Sequence, residues 1–319
     1  MEGNLPLKLY KEVYELPVLS LKDSETARNA ITKQQQKQIR KLYREVAKKI
    51  AKEAKSLKGK TNVSSLMRTQ YLRILEEQIT AEINKISTEL HQITNSGMTQ
   101  VAQAVTKESL EWLSEIGFGT VGLMSNVPAD VVRNIATGQV YKTGWSLSKR
   151  IWGIEQKTLN DIHTVIAKGI ANNASVYEIA KDLEKYVDPK AIKKWDWNKV
   201  YPGTSRKVEY NAQRLARTLT QHAFQQATKA CNDPNPFVDG YIWRSALAHG
   251  RTCSVCMERD GTFFKKEDVP MDHPQGLCTI LPYVKQDLSS VADQIAEWTK
   301  APQGTFPEID RYWEYLKRN

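Results

Sequence analysis

Residues 71–94 read YLRILEEQITAEINKISTELHQIT, and the apolar positions Leu72, Leu75, Ile79, Ile83, Ile86, Leu90 and Ile93 follow one another at steps of three or four. That spacing puts all seven on one face of a helix and, with the flanking residues, predicts a long helix over about 64–115. Upstream, Ile39, Leu42, Tyr43, Val46, Ile50 and Leu57 recur with the same period. They predict a second amphipathic helix over about 25–58, with Ser24 as its N-cap. Two such stripes hide their apolar faces most simply by packing on each other as an antiparallel pair.

Further helices follow downstream. The cluster Gly117, Gly119 and Gly122 interrupts the long helix. Asn126-Val-Pro-Ala-Asp130 then opens a short one, with Pro128 in its first turn and Gly138 at its end. Others are predicted over about 146–172, over 175–187 from the capping box Ser175-Val-Tyr-Glu178, and over 204–230. An irregular connector containing Trp195 and Trp197 precedes the last of these. Beyond the turn cluster Asn232–Pro236 the composition changes. Gly240-Tyr-Ile-Trp-Arg-Ser245, Thr262-Phe-Phe264 and Thr279-Ile-Leu-Pro-Tyr-Val284 carry the aromatic and β-branched residues of short strands. Helices over Leu288–Trp298 and Ile309–Leu316 end the chain. The fold class is therefore mainly α, with long N-terminal helices, a helical middle region and a small C-terminal α+β module. This divides the chain into an arm (1–24), a long basic helical region (25–122), a helical middle domain (123–230), a small Cys/His module (231–284) and a helical tail (285–319).

Across 319 residues, 40% are hydrophobic and 26% charged, which excludes disordered and collagen-like classes. No run approaches the roughly 20 apolar residues of a membrane span. The start MEGNLPLKLYKEVYELPVL lacks a basic segment followed by a long apolar core, so the expectation is a protein made and used in a cytosol. The formal charge is +10, and Lys33–Lys60 holds eleven Lys or Arg against Glu45 and Glu53, nearly the whole excess. Lys37, Arg40, Lys41, Arg44, Lys48, Lys49, Lys52 and Lys55 fit either a surface for the phosphates of double-stranded DNA, without base readout, or a solvated helix face.

All four cysteines, Cys231, Cys253, Cys256 and Cys278, lie in the last third. In a reducing compartment that clustering points to metal or catalysis before disulfides. Cys253-Ser-Val-Cys256 has the spacing that lets two thiolates hold one tetrahedral ion across a tight turn, and His273 and Cys278 complete four ligands for a structural zinc. The residues between, Met257–Asp272, suffice for a strand, a turn at Asp260-Gly261 and a return. A module this small has a physical need for such a staple. Ordinary packing of small buried thiols and a redox pair are the competing readings. Cys231 reads as a lone thiol, and His222, His249 and Asp272 stand as reserve ligands. A deaminase site is excluded because the C-x-x-C pair comes first and no His-x-Glu accompanies it. No spacing supports a Cys–His protease pair.

Several of these segments together resemble a known family. Gly144-Trp-Ser-Leu-Ser-Lys-Arg-Ile-Trp152, Arg214-Leu-Ala-Arg-Thr218, Tyr241-Ile-Trp243 and Arg251-Thr-Cys-Ser-Val-Cys-Met-Glu-Arg-Asp-Gly261, with His273-Pro274 and Cys278, look like the minor head (head morphogenesis) proteins of tailed bacteriophages, the group that includes the phage Mu F-like proteins. The likeness covers about residues 140–284. It departs at Leu219, where the family usually has Glu, and at His273-Pro-Gln-Gly-Leu-Cys278, where the family usually closes with His-Pro-x-Cys-Arg-Cys. The resemblance implies a non-enzymatic virion component, present in few copies inside the head near the portal vertex and in the host cytoplasm during assembly. It implies the portal protein as partner, with capsid or scaffold proteins and DNA beside it, and a role in head assembly, DNA packaging or ejection. Trp145, Ile151 and Trp152 are the candidate partner-binding residues, against the competing reading that they are core. A toxin or nuclease effector carrying the same domain is the alternative function.

Overall fold

The computed structural model describes residues 18–56, 64–119, 122–172, 174–188, 208–246, 252–301 and 304–319. Among them the chain is mainly helical, with one three-stranded antiparallel sheet near the C-terminus. The elements are α1 (Lys22–Ser56), α2 (Ser65–Glu115), α3 (Val127–Thr137), α4 (Leu147–Ala171), α5 (Val176–Val187), α6 (Val208–Asn232), β1 (Gly240–Arg244), α7 (Ser254–Arg259), β2 (Phe263–Lys265), β3 (Thr279–Tyr283), α8 (Leu288–Lys300) and α9 (Pro307–Arg318). No described helix is long and apolar enough to cross a membrane. The chain divides into two compact units. One comprises Met1–Ile31, Gly97–Ile135 and Thr218–Asn319; the other comprises Thr32–Ser96 and Ala136–Arg217.

In the second unit the two apolar stripes are buried, apart from Ile93 at the end of the α2 stripe, which is half-buried. Ile39, Leu42, Tyr43, Val46 and Ile50 of α1 and Leu72, Leu75, Ile79, Ile83, Ile86 and Leu90 of α2 all belong to the core. The helices run antiparallel, as the stripes predicted. Gln35 Nε2 donates to the Ile93 carbonyl at 3.1 Å, and nearly four turns further along α1 Lys49 Nζ meets Glu82 at 2.6 Å. Leu57 lies outside the described residues, as does the Trp195/Trp197 connector. Helix α5 starts with the predicted capping box, in which the Ser175 hydroxyl accepts from the Glu178 N–H and Glu178 accepts from the Ser175 N–H. Tyr186 of α5 is buried and donates to Asp161 of α4 at 2.7 Å. Its hydroxyl pKa is pushed well up, first by burial and then by that carboxylate.

In the first unit the start of α1 differs from expectation. The helix begins at Lys22, so Ser24 lies inside the first turn, where its N–H and hydroxyl both donate to Glu108 of α2 at 2.9 and 2.5 Å. Gly138, which belongs to the second unit, ends α3 at φ +89°, a conformation that favours glycine. The sheet has the order β2–β1–β3, with Trp243 opposite Ile280 and Tyr241 opposite Phe264. Its formation also corrects one expectation. The segment after the C-x-x-C pair is not a strand: Ser254–Arg259 is helical, and the turn at Asp260-Gly261, with Gly261 at φ +76°, leads from α7 into the short edge strand β2. Trp243 N–H donates to the Thr262 carbonyl at 2.9 Å and Gly261 N–H to the Trp243 carbonyl at 2.8 Å, which lays this turn along β1.

Candidate metal centre

The C-x-x-C pair works through the geometry of a helix start. Cys253 is the N-cap of α7, and its carbonyl accepts from the Met257 N–H at 3.0 Å. Cys256 is then the third helical residue, and N-cap and third-residue side chains lie side by side, as in a capping box. Cys256 is buried against Tyr241, Trp243, Cys278 and Ile280, whereas Cys253 stands at the exposed mouth. Their thiols are perturbed in opposite directions. The Cys256 backbone N–H, followed by the Cys256 thiol, lowers the pKa of Cys253. Burial, followed by the Cys278 and Cys253 sulfurs, raises that of Cys256.

The second half of the site is a loop tied down by α6. Gln225 Nε2 donates to the Pro270 carbonyl at 2.7 Å, and Gln225 Oε1 accepts from the Asp272 N–H at 2.9 Å. Gln221 Nε2 donates to the Cys278 carbonyl at 2.6 Å and to the Asp272 carboxylate at 3.0 Å, while Arg28 donates to Gln221 Oε1 at 3.0 Å. Within the loop the buried Asp272 carboxylate accepts from the His273 N–H at 2.8 Å and the Cys278 N–H at 3.1 Å. It thus clips the two ends of the His273–Cys278 turn together. Burial raises its pKa, opposed by His273 and by these donors. Gly276 lies against this carboxylate so closely that an added Cβ would collide with it. Gly276→Ala is therefore expected to displace Asp272 and to weaken metal uptake by about 10–100-fold. Competition titration against a chelator checks this.

His273 presents one nitrogen to the cluster. Its Nδ1 lies 3.0 Å from the Pro274 carbonyl, which can only accept, so Nδ1 carries the proton and Nε2 is the free ligand atom. Nε2 sits 3.3 Å from Cys253 Sγ. The Pro274 carbonyl, then Asp272 and Cys253, raise the imidazole pKa, while burial works against them. The ligand atoms of Cys253, Cys256 and His273 all lie within 4.8 Å of one another, as do those of Cys256, Asp272 and Cys278. A tetrahedral ion with bonds of about 2.3 Å to sulfur and 2.0 Å to nitrogen separates its ligand atoms by roughly 3.5–3.8 Å. Cys256 is shared between the two sets and joins the four predicted residues into one possible metal site.

The reserve ligands are accounted for differently. The Asp272 carboxylate is committed to three donors, and His222 Nε2 pairs with the Asp272 carbonyl at 3.0 Å, so both support the loop. His249 lies outside the described residues. Cys231 is buried apart from the cluster with its sulfur 3.8 Å from Thr106 Oγ1, and its pKa is pushed up to about 11 by burial. Gln221, Gln225 and Asp272 as a clamp escaped the sequence reading. Their only trace there is the polar run Gln221-His222 and Gln225 interleaved with Leu219, Ala223 and Ala227 on α6.

The other predicted residues lie in the second unit. The eight predicted basic residues of α1, Lys37 through Lys55, are all exposed. Arg40 pairs with Glu209 at 3.2 Å, Lys49 with Glu82 at 2.6 Å and Lys41 with Glu45 at 3.8 Å. At 100° per residue, Lys37, Lys41, Arg44, Lys48, Lys52 and Lys55 fall within an arc of about 80°, a stripe roughly 27 Å long. Trp145 and Trp152 are on the surface at 48% and 59% exposure, whereas Ile151 is buried at 3%. Trp145 precedes the N-cap Ser146, whose hydroxyl accepts from the Lys149 N–H, so the two indoles are not two turns apart on one helix as their spacing implied. Ile151 faces the interior, and the two indoles stand on the surface.

Comparison of the chain with protein-family models, with curated proteins and with solved structures gives no match.

Proposed function

We propose that this chain is a non-enzymatic structural component of a tailed-bacteriophage head, assembled in the host cytoplasm and held inside the head near the portal vertex. The observation that carries this reading is the convergence of Cys253, Cys256, His273 and Cys278, the residues on which the resemblance to minor head proteins chiefly rests. Zinc is the metal we assign, because three thiolates and one imidazole suit a soft-tolerant ion with no geometric preference beyond four ligands. A set of four protein ligands leaves no coordination position for a water, which makes the ion a staple and not a hydrolytic centre.

The surfaces support the partners. Trp145 and Trp152 offer exposed indoles to the portal protein, or to capsid or scaffold proteins, and large aromatics of this kind dominate interface energetics. Lys37, Arg44, Lys48, Lys52 and Lys55 meet no carboxylate among the described residues and present their charge to the phosphates of double-stranded DNA. The reading is tested on particles. Mass spectrometry of density-purified virions should detect the chain at a few copies alongside the portal protein. Its absence from particles in which the portal is readily detected would overturn the assignment.

A further inference from the structure

The sulfur of Cys278 has a neighbour that a four-ligand description omits. Trp243 of β1 lies opposite Ile280 of β3, and Cys278, two residues before Ile280, falls on the same side of the sheet. Both belong to the buried cluster with Tyr241, Cys256 and Ile280. The indole of Trp243 is fully buried and fixed from two sides, with the Arg259 guanidinium 5.3 Å from its ring centroid and the Phe264 ring at 6.2 Å. Among the described residues its Nε1–H makes no hydrogen bond of normal geometry. A buried donor in that state is costly, and phenylalanine would fill the space without it.

We propose that Trp243 is a positioning residue for the metal centre, its indole N–H donating to the Cys278 thiolate in the metal-bound protein. Such a bond orients the sulfur and withdraws electron density from it, so the ligand is held in place and is a weaker nucleophile toward electrophiles. This rests on the metal reading above and adds to it a named role for a residue outside the ligand set.

Cobalt(II) is the probe, because thiolate-to-cobalt charge-transfer bands report the electron density on sulfur. Full-length wild-type protein should take up one cobalt per chain with tetrahedral bands. Trp243→Phe should still bind one cobalt, about tenfold more weakly, with the charge-transfer band shifted to lower energy. A variant that melts earlier but keeps the wild-type band and affinity would overturn the proposal, since the ring would then be packing only. Failure of the wild type to take up cobalt or zinc would overturn the metal reading first and this one with it, so the two failures are distinguishable. Should Trp243→Phe not fold, cadmium-113-loaded wild type decides. One indole N–H resonance should couple to the metal through the sulfur, and an indole spectrum unchanged by cadmium would overturn the proposal.

Discussion

Cys256→Ser is expected to abolish stoichiometric metal binding and to loosen residues 240–284 while the N-terminal helices stay folded. Cys256 is common to both groups of ligand atoms, so its loss leaves no complete set. A serine hydroxyl does not ionise near neutral pH, and the affinity should fall at least about a thousandfold, or about 4 kcal/mol. The consequence for folding is local because the burial available to the module is small: one face of three short strands with Tyr241, Trp243 and Ile280. Hydrogen exchange should show lost protection in β1 and β3 and retained protection in 72–93, and chelation of the wild type should give the same pattern. The pH dependence has a definite sign. Burial holds the Cys256 and Cys278 thiols protonated in the metal-free chain, so binding expels protons, and affinity must fall as pH falls. Retention of one metal per chain in Cys256→Ser would contradict the ligand assignment.

Binding to duplex DNA should be strongly salt-dependent. If the α1 stripe neutralises about six phosphates, log K falls against log salt with a slope of about −5, so that affinity drops about a thousandfold between 50 and 200 mM. Replacing Lys37, Lys48, Lys52 and Lys55 by Gln should flatten that slope by roughly three to four, equally for all sequences, because phosphate contacts carry no base information. These four are the right targets since none is tied to a carboxylate among the described residues, unlike Arg40 and Lys49. A mobility-shift titration at several salt concentrations measures the slope. Absent binding at low salt, or a slope unchanged in the variant, would leave the stripe a solvated face.

What could be read from the sequence was what local periodicity encodes. Seven apolar residues at steps of three and four announce α2, and Ser175 with Glu178 marks the start of α5 to the residue. The four candidate ligands were legible because two are close in sequence and the other two flank one turn. The rest depends on contacts distant along the chain. Six residues of α7 carry no periodicity, and the helix is recognisable only once Cys253 is seen as its cap. Gln221 and Gln225 read as unremarkable polar residues of α6 until a loop some fifty residues away supplies their partners. Trp145 was misplaced because its seven-residue distance from Trp152 matches two helical turns, whereas the Ser146 cap starts the helix one residue after it.

The most direct test of the account is whether the purified chain co-sediments with assembled portal rings encoded with it, in wild-type form and as Trp152→Ala. The exposed position of Trp152 means that its truncation should leave the melting temperature nearly unchanged. As an interface anchor it should carry at least about 2 kcal/mol, roughly thirtyfold in affinity. The account predicts saturable association of the wild type and a loss of that size in the folded variant. A wild-type chain that binds neither portal rings nor assembled heads would contradict it.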